Sequence, residues 1–295
     1  MAIFRVSNAF SQRVFLRNLQ RNRGSLDEAL ARTSSGLRVR YPSDDPEAAA
    51  ELLRLQEEMQ QLVMRQRGIS QARPWLQMLE EAAGDLGEIL TSAFQYAVQG
   101  SSDTLDDAQY EALAEQISGL RSQLMSLTKL KISGRYIFSG TLTDTEPFDA
   151  DGHYQGNDRA IQIHLDAEQV TINVPGDELF GEMGVGGPMQ VLADLEEAFH
   201  DADTERVQAL LDDLRDAISA NAAMLSRIGN RRKALEDADV RLQDRQLSLQ
   251  RRVADLGSAD MAEAMSDVQK FETGYQATLA AGAKLFGPTF FDYLG

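Results

Sequence analysis

Apolar residues recur three or four positions apart along two long stretches of this 295-residue chain, 48–99 and 205–256, and the segment between them alternates instead. In the first stretch Leu52, Leu55, Met59, Leu62 and, beyond a polar Gln66, Ile69 make a seam of coiled-coil spacing. The seam slips in phase near Gly68 and Pro74, so Pro74 predicts a kink or a local break. It then resumes as Ala72, Leu76, Leu79, Ala83, Leu86, Leu90, Ala93 and Ala97. In the second stretch Ile228, Leu235, Leu242, Leu249 and Leu256 fall seven residues apart. The companion positions Leu225 and Val253 are apolar, but Arg232, Asp239 and Gln246 lie between them, which predicts a polar neighbour or solvent at mid-helix. Lys233 with Asp237, and Asp237 with Arg241, suit an exposed helical face. At 1.5 Å per residue each stretch is a helix about 80 Å long, and such helices pair lengthwise.

Gly100-Ser101-Ser102-Asp103 reads as a turn, after which Tyr110, Leu113, Ile117, Leu120, Leu124 and Leu127 set a third seam returning antiparallel to the first. Gly134 ends that hairpin, and Arg135 to Gly140 reads as a short strand. Farther on, Ile161, Ile163 and Leu165, then Val170, Ile172 and Val174, alternate as a β-hairpin joined by Asp166 to Gln169. Seven glycines and two prolines punctuate residues 152–188, as tight turns in a small β domain require. That island is too small for a large enzyme cleft.

The chain ends carry thinner seams: Phe4, Phe10, Val14, Leu19, Leu26 and Leu30 at one, Met261, Met265, Val268, Phe271, Tyr275 and Leu279 at the other. Five arginines interrupt the first set between positions 13 and 32. An isolated helix of that quality is marginal in water. Both ends are therefore expected to be poorly ordered in a free subunit, to pair only when neighbouring subunits complete the seam, and to form the assembly interface. The predicted fold class is mainly α, a long antiparallel helical rod built from both ends of the chain with a small β-rich insertion in the middle. The divisions are a terminal helix 1–40 that pairs with the C-terminus, a rod half 41–142 with a short β-hairpin, the β-rich domain 143–188, the second rod half 189–256 and a terminal helix 257–295.

Composition narrows the function. Aromatics are only 7% of residues, as in long helices with narrow apolar seams, and the net charge of −17 argues against a general nucleic-acid binder. The charge is uneven, however. Residues 1–40 hold eight arginines against Asp27 and Glu28, a net +6, and residues 258–295 hold five acids against Lys270 and Lys284, a net −3. Ends of opposite sign attract; a basic arm also suits membranes or nucleic acid. No cysteine is present, which excludes disulfides, thiol nucleophiles and thiolate metal sites. No stretch of about 18 uninterrupted apolar residues offers membrane insertion. Residues 1–10 lack a cleavable-signal pattern, so a role outside the cell is expected to use a route without a cleaved signal.

Candidate chemistry is sparse. His153, His164 and His200 lack metal-pair spacing, and Asp149, Asp151, Asn157 and Asp158 lack the order and closing Glu of a calcium loop. The adjacent acids Asp106-Asp107 and Asp212-Asp213 point to different sides of a helix, which does not suit shared acid–base work. No Gly-rich phosphate loop runs from a strand into a helix. Trp75 and Met59 read as packing residues rather than a cofactor platform. The expectation is no enzyme, no metal and no cofactor.

Thr33-Ser34-Ser35-Gly36-Leu37-Arg38-Val39, followed by Tyr41-Pro42-Ser43-Asp44-Asp45-Pro46, has a local reading. Asp45 caps the next helix, with Pro46 at its first position. The same segment resembles the N-terminal signature of the flagellin superfamily, closer in its Pro-Ser-Asp-Asp-Pro form to the hook-associated members than to flagellin itself. Gly134 to Thr141, Pro147-Phe148, Tyr154-Gln155-Gly156, Val174-Pro175-Gly176 with Phe180, and the ending Phe290-Phe291-Asp292-Tyr293-Leu294 are similar to the same group. The resemblance implies a structural subunit of the hook-filament junction of the bacterial flagellum, outside the cell and exported through the flagellar channel. Its implied partners are a ring of identical subunits, a neighbouring hook-associated protein, flagellin, and a cytoplasmic chaperone shielding Met261 to Leu279 before export. The alternatives are a flagellin-type filament subunit and, from another class, a cytoplasmic coiled-coil adaptor. The short β island implies a reduced outer domain.

Overall fold

A computed structural model describes residues 2–102, 105–165 and 168–286, and the side chains of these except 2–9, 11–12, 168 and 285–286. The expected turn residue Asp103, the loop residues Asp166 and Ala167 and the ending Phe290 to Leu294 lie outside the described residues. The elements are helices α1 (Ala2–Ser35), α2 (Pro46–Gly100) and α3 (Asp107–Thr128), strands β1 (Lys131–Ile132), β2 (Arg135–Tyr136), β3 (Gln162–Leu165) and β4 (Glu168–Thr171), then helices α4 (Gly176–Phe180), α5 (Pro188–His200), α6 (Thr204–Gly257) and α7 (Met261–Phe286). The chain is thus mainly α with two small antiparallel hairpins.

It divides into two compact units, one of residues 1–61 with 245–295 and one of residues 62–244. The boundary falls inside α2 and α6, each of which contributes to both units, whereas the expected divisions near 40 and 256 fall beside the breaks between helices.

In the 62–244 unit α2 and α6 run antiparallel. Ile69, Ala72, Leu76, Leu79, Ala83, Leu86 and Leu90 of α2 and Leu214, Ile228 and Leu235 of α6 are buried. The polar seam positions of α6 find polar neighbours on α2: Arg232 pairs with Glu80 and Asp239 with Arg73. The pairs Lys233–Asp237 and Asp237–Arg241 are not among the ion pairs described; Arg232 instead reaches Glu236. Asn221, buried at the interface, donates from Nδ2 to the Ala83 carbonyl. Of the kink or local break expected at Pro74, the break does not occur, since α2 runs through it. The buried seam continues on both sides of it, and that packing holds the helix through the missing hydrogen bond.

Asp106 and Gln109 start α3 with a reciprocal capping box. The helix returns beside α2, with Tyr96 Oη 3.4 Å from Gln116 Oε1, and packs on α5. The expected strand 135–140 shrinks to Arg135–Tyr136, paired with Lys131–Ile132. Its remainder turns inward, burying Ile137 and Phe138. The second hairpin is tighter than expected, because Leu165 pairs with Glu168 and His164 with Gln169. Phe138, Phe148 and Phe180 form the buried centre of the island, Phe138 meeting Phe180 edge-on at 4.8 Å between centroids. Asn173 fastens the hairpin, accepting from the Ile161 amide and donating to the Arg159 carbonyl, and its own carbonyl accepts from Arg231.

Candidate assembly interface

In the other unit helices α1 and α7 meet. Gly36 ends α1 with a positive φ of 67°, its amide donating to the Arg32 carbonyl, a conformation glycine adopts without strain. Asp260 starts α7, its Oδ1 accepting from the amides of Ala262 and Glu263. The helices pack antiparallel. Asn22 Nδ2 donates to Thr278 Oγ1 at 2.7 Å, and Phe15 lies against Gly282, where a Cβ would come within 2.2 Å of the ring. Ala29 and Ala264 are buried toward the other end.

The N-terminal and C-terminal helices, expected to pair, meet here within a single chain. Within one chain α1 and α7 are each other's partner, because both keep their thin seams in antiparallel register. Of the sequence-selected residues, Val14, Leu19, Leu26, Val268, Phe271 and Tyr275 are half-buried. Phe10, Leu30, Met261, Met265 and Leu279 are exposed, Phe10 and Met265 by more than 60%. Phe4 lies in α1, but its side chain is outside the described set. Leu16, two heptads before Leu30, is 53% exposed and joins the same row.

The signature segment lies at the base of this pair, and its residues divide the work. Asp45 Oδ1 accepts from the Ala48 amide, capping α2, and Pro46 is the first residue of that helix. Asp44 serves the preceding turn instead, its Oδ2 accepting from the amides of Arg40 and Tyr41 at 3.0 Å each. Ser43 is exposed. The Tyr41 and Arg40 amides hold the Asp44 carboxyl below the usual carboxylate range, and the Ala48 amide with the Arg38 guanidinium does the same for Asp45.

Arg38 of the signature segment links two helix ends. Its Nη1 donates to Asp45 Oδ2 at 2.9 Å, and its Nη2 donates to the Leu256 carbonyl at 2.8 Å. A cation there also complements the C-terminal end of the α6 dipole. Backbone bonds continue the junction: Arg38 N–H donates to the Gly257 carbonyl, and Ala259 N–H to the Gly36 carbonyl. Beneath lies a small apolar cluster of Val39, Ala48, Ala49 and Leu52. Ion pairs Arg245–Glu58 and Arg252–Glu51 extend the contact of α6 with α2. The only sequence-level signal for Arg38 was the motif itself, since its partner carbonyl is 218 residues away.

The candidate chemical residues serve local structure. Asp149 Oδ1 accepts from the amides of Asp151 and His153, closing a turn. His153, His164 and His200 pair with Glu182, Gln169 and Glu111 respectively. Among the described residues no three acidic, His or Cys side chains are grouped to hold a metal, and no helix is long and apolar enough to cross a membrane.

Comparison with known proteins agrees with this architecture. The family model for the bacterial flagellin N-terminal helical region matches residues 6–143. Flagellar hook-associated protein 3 of Escherichia coli (strain K12) is 28% identical over 284 residues, 88% of this chain and 90% of that protein. The protein of the same name from Salmonella typhimurium is 31% identical over 153 residues, 51% of this chain and 48% of its own. Among solved structures, Bacillus cereus FlgL superposes with a TM-score of 0.60 at 22% identity, covering 68% of this chain and 99% of that one, a likeness of fold.

Proposed function

We infer, from the likeness to the flagellar hook-associated proteins and to the flagellin N-terminal helical region, that the chain is a structural component of the junction between hook and filament. The family consists of flagellar structural proteins that assemble with their neighbours. The observation that carries this reading is the helix pair α1–α7, made from the two ends of the chain and presenting Phe10, Leu16, Leu30, Met261, Met265 and Leu279 to solvent. Exposed apolar rows on a long helix pair are surfaces for lateral packing.

In finer terms, the terminal helices 1–40 and 257–295 form the inner assembly surface of a ring of identical subunits. The ring contacts a neighbouring hook-associated protein on one side and flagellin on the other. The chain acts outside the cell and is accompanied beforehand by a chaperone that covers the Met261–Leu279 row. The small β island leaves little material for a separate outer role.

Deleting the gene while imaging hooks and filaments, and assaying flagellin shed into the medium, tests the reading. Hooks without filaments, together with abundant shed monomeric flagellin, are expected. Normal filaments and motility would overturn it. Bare hooks with no shed flagellin would identify the chain as the filament subunit instead.

A further inference from the structure

Charge on the α1–α7 pair is segregated along its length in a way that the pair itself leaves unmatched. Arg17 and Arg21 lie one turn apart on α1, both exposed, and neither has an ion pair among the described residues. The antiparallel register, fixed by Phe15 at Gly282, Asn22 at Thr278 and Leu37 at Ser258, sets these arginines level with residues near 280 and 276 of α7. From Glu272 to Phe286 the α7 helix contains no further acid, and it adds Lys284. The α7 carboxylates cluster in its first half, where Asp260, Glu263 and Asp267 line a groove of about 410 Å³ between α7, α1 and the signature loop. The two arginines that also line this groove are already engaged, Arg32 with Glu28 and Arg38 with Asp45.

We propose that the α1–α7 pair docks on a second copy of this chain shifted along the helix axis, so that Arg17 and Arg21 of one copy meet Asp267 and Glu263 of the next. Both pairs require the same shift. Within one copy Arg17 is level with position 280, and reaching 267 takes about 13 residues; Arg21 is level with 276, and reaching 263 takes the same, roughly 20 Å at 1.5 Å per residue. The spacing of four residues within each pair keeps both contacts on one face. The shift brings the basic part of α1 to an acidic groove and moves like charges apart, so it selects one axial register among those that an apolar row alone permits. The proposal rests on the junction reading and specifies the geometry of its self-contact.

The chain has no cysteine, which makes the test direct. Arg17→Cys and Asp267→Cys are introduced into separate full-length chains and co-expressed in the deletion strain, and isolated flagella are mildly oxidised. A covalent dimer of junction subunits is expected from the mixture and not from either variant alone. In parallel, R17E/R21E and E263R/D267R are each expected to lower motile cells about tenfold, and their combination to restore them. Failure of the wild-type chain to rescue filaments would overturn the junction reading. Full rescue with no cross-link, and with reversal variants as motile as wild type, would overturn the stagger alone.

Discussion

Arg38 reaches Asp45 across the turn between α1 and α2 while its second terminal nitrogen holds the Leu256 carbonyl, so a single guanidinium joins the start of α2 to the end of α6. The two contacts use the fork geometry of arginine, which lysine cannot reproduce. Arg38→Ala, and nearly as severely Arg38→Lys, is expected to speed amide exchange at residues 36–46 and 256–260 while exchange in the centre of α2 stays unchanged. Equal exchange at the turn in wild type and variant would show that the backbone bonds alone hold the junction.

Acid acts on the same place. The folded-state pKa values of Asp44 and Asp45 are depressed below their unfolded value of 3.8, so their contribution is fully present above that value and is lost as pH falls through the folded values. Limited proteolysis between pH 5 and pH 2 should expose the 36–46 turn in wild type, and the pH dependence should weaken in D44N/D45N, which is expected to be cleaved there at higher pH as well.

Tyr154 provides an alkaline counterpart in the β island. Burial, then the nearby Asp177 carboxylate, pushes its pKa up to about 12, and its hydroxyl donates to the Phe138 carbonyl at 2.8 Å. A raised folded pKa contributes stability that is complete below the unfolded value near 10 and is lost as pH rises toward 12. One of the seven tyrosines should therefore titrate late by ultraviolet absorbance, and Tyr154→Phe should remove that late component.

Gly100 closes α2 directly against Phe199, and a Cβ there would stand 2.2 Å from the ring. Gly100→Ala is expected to cost about 1–3 kcal/mol through forced movement of a fully buried ring. Thermal unfolding of the full chain measures this, and an unchanged midpoint would mean that the ring swings away freely.

Substituting Val268 and Tyr275 with glutamate places charge on the half-buried side of α7. Loss of incorporation into flagella is expected, with the 62–244 unit still folded by protease resistance. Normal incorporation would count strongly against the assembly reading.

The long helices were legible because their seams are written locally: Leu76, Leu79, Leu86 and Leu90 are spaced for a helix and are buried in one. Asp45 as a cap was legible for the same reason, its target amide lying three residues on. The local break at Pro74 does not form because propensity is local, whereas the packing that carries α2 through it is tertiary. The role of Arg38 was not legible, since it joins residues more than 200 positions apart and has no periodicity of its own. That the two terminal helices pair was legible in their opposite charge, but their register was not, since Asn22 and Thr278 stand 256 positions apart. Phe138 read as strand because alternation alone does not reveal that the chain turns inward after Tyr136.

The partner helices α1 and α7 occupy the two extremes of the chain, so their union has a timetable. Synthesis from the N-terminal side delivers α1 before the 62–244 unit and α7 after it. The 62–244 unit has all its residues before a single turn of α7 exists. Contacts such as Asn22 with Thr278, 256 residues apart, close one of the longest loops this chain can make, and non-local closures are slow. Throughout that interval the apolar side of α1 is without its helix partner. The hazard of premature association is therefore built into the order of synthesis, and it ends only when the last helix arrives.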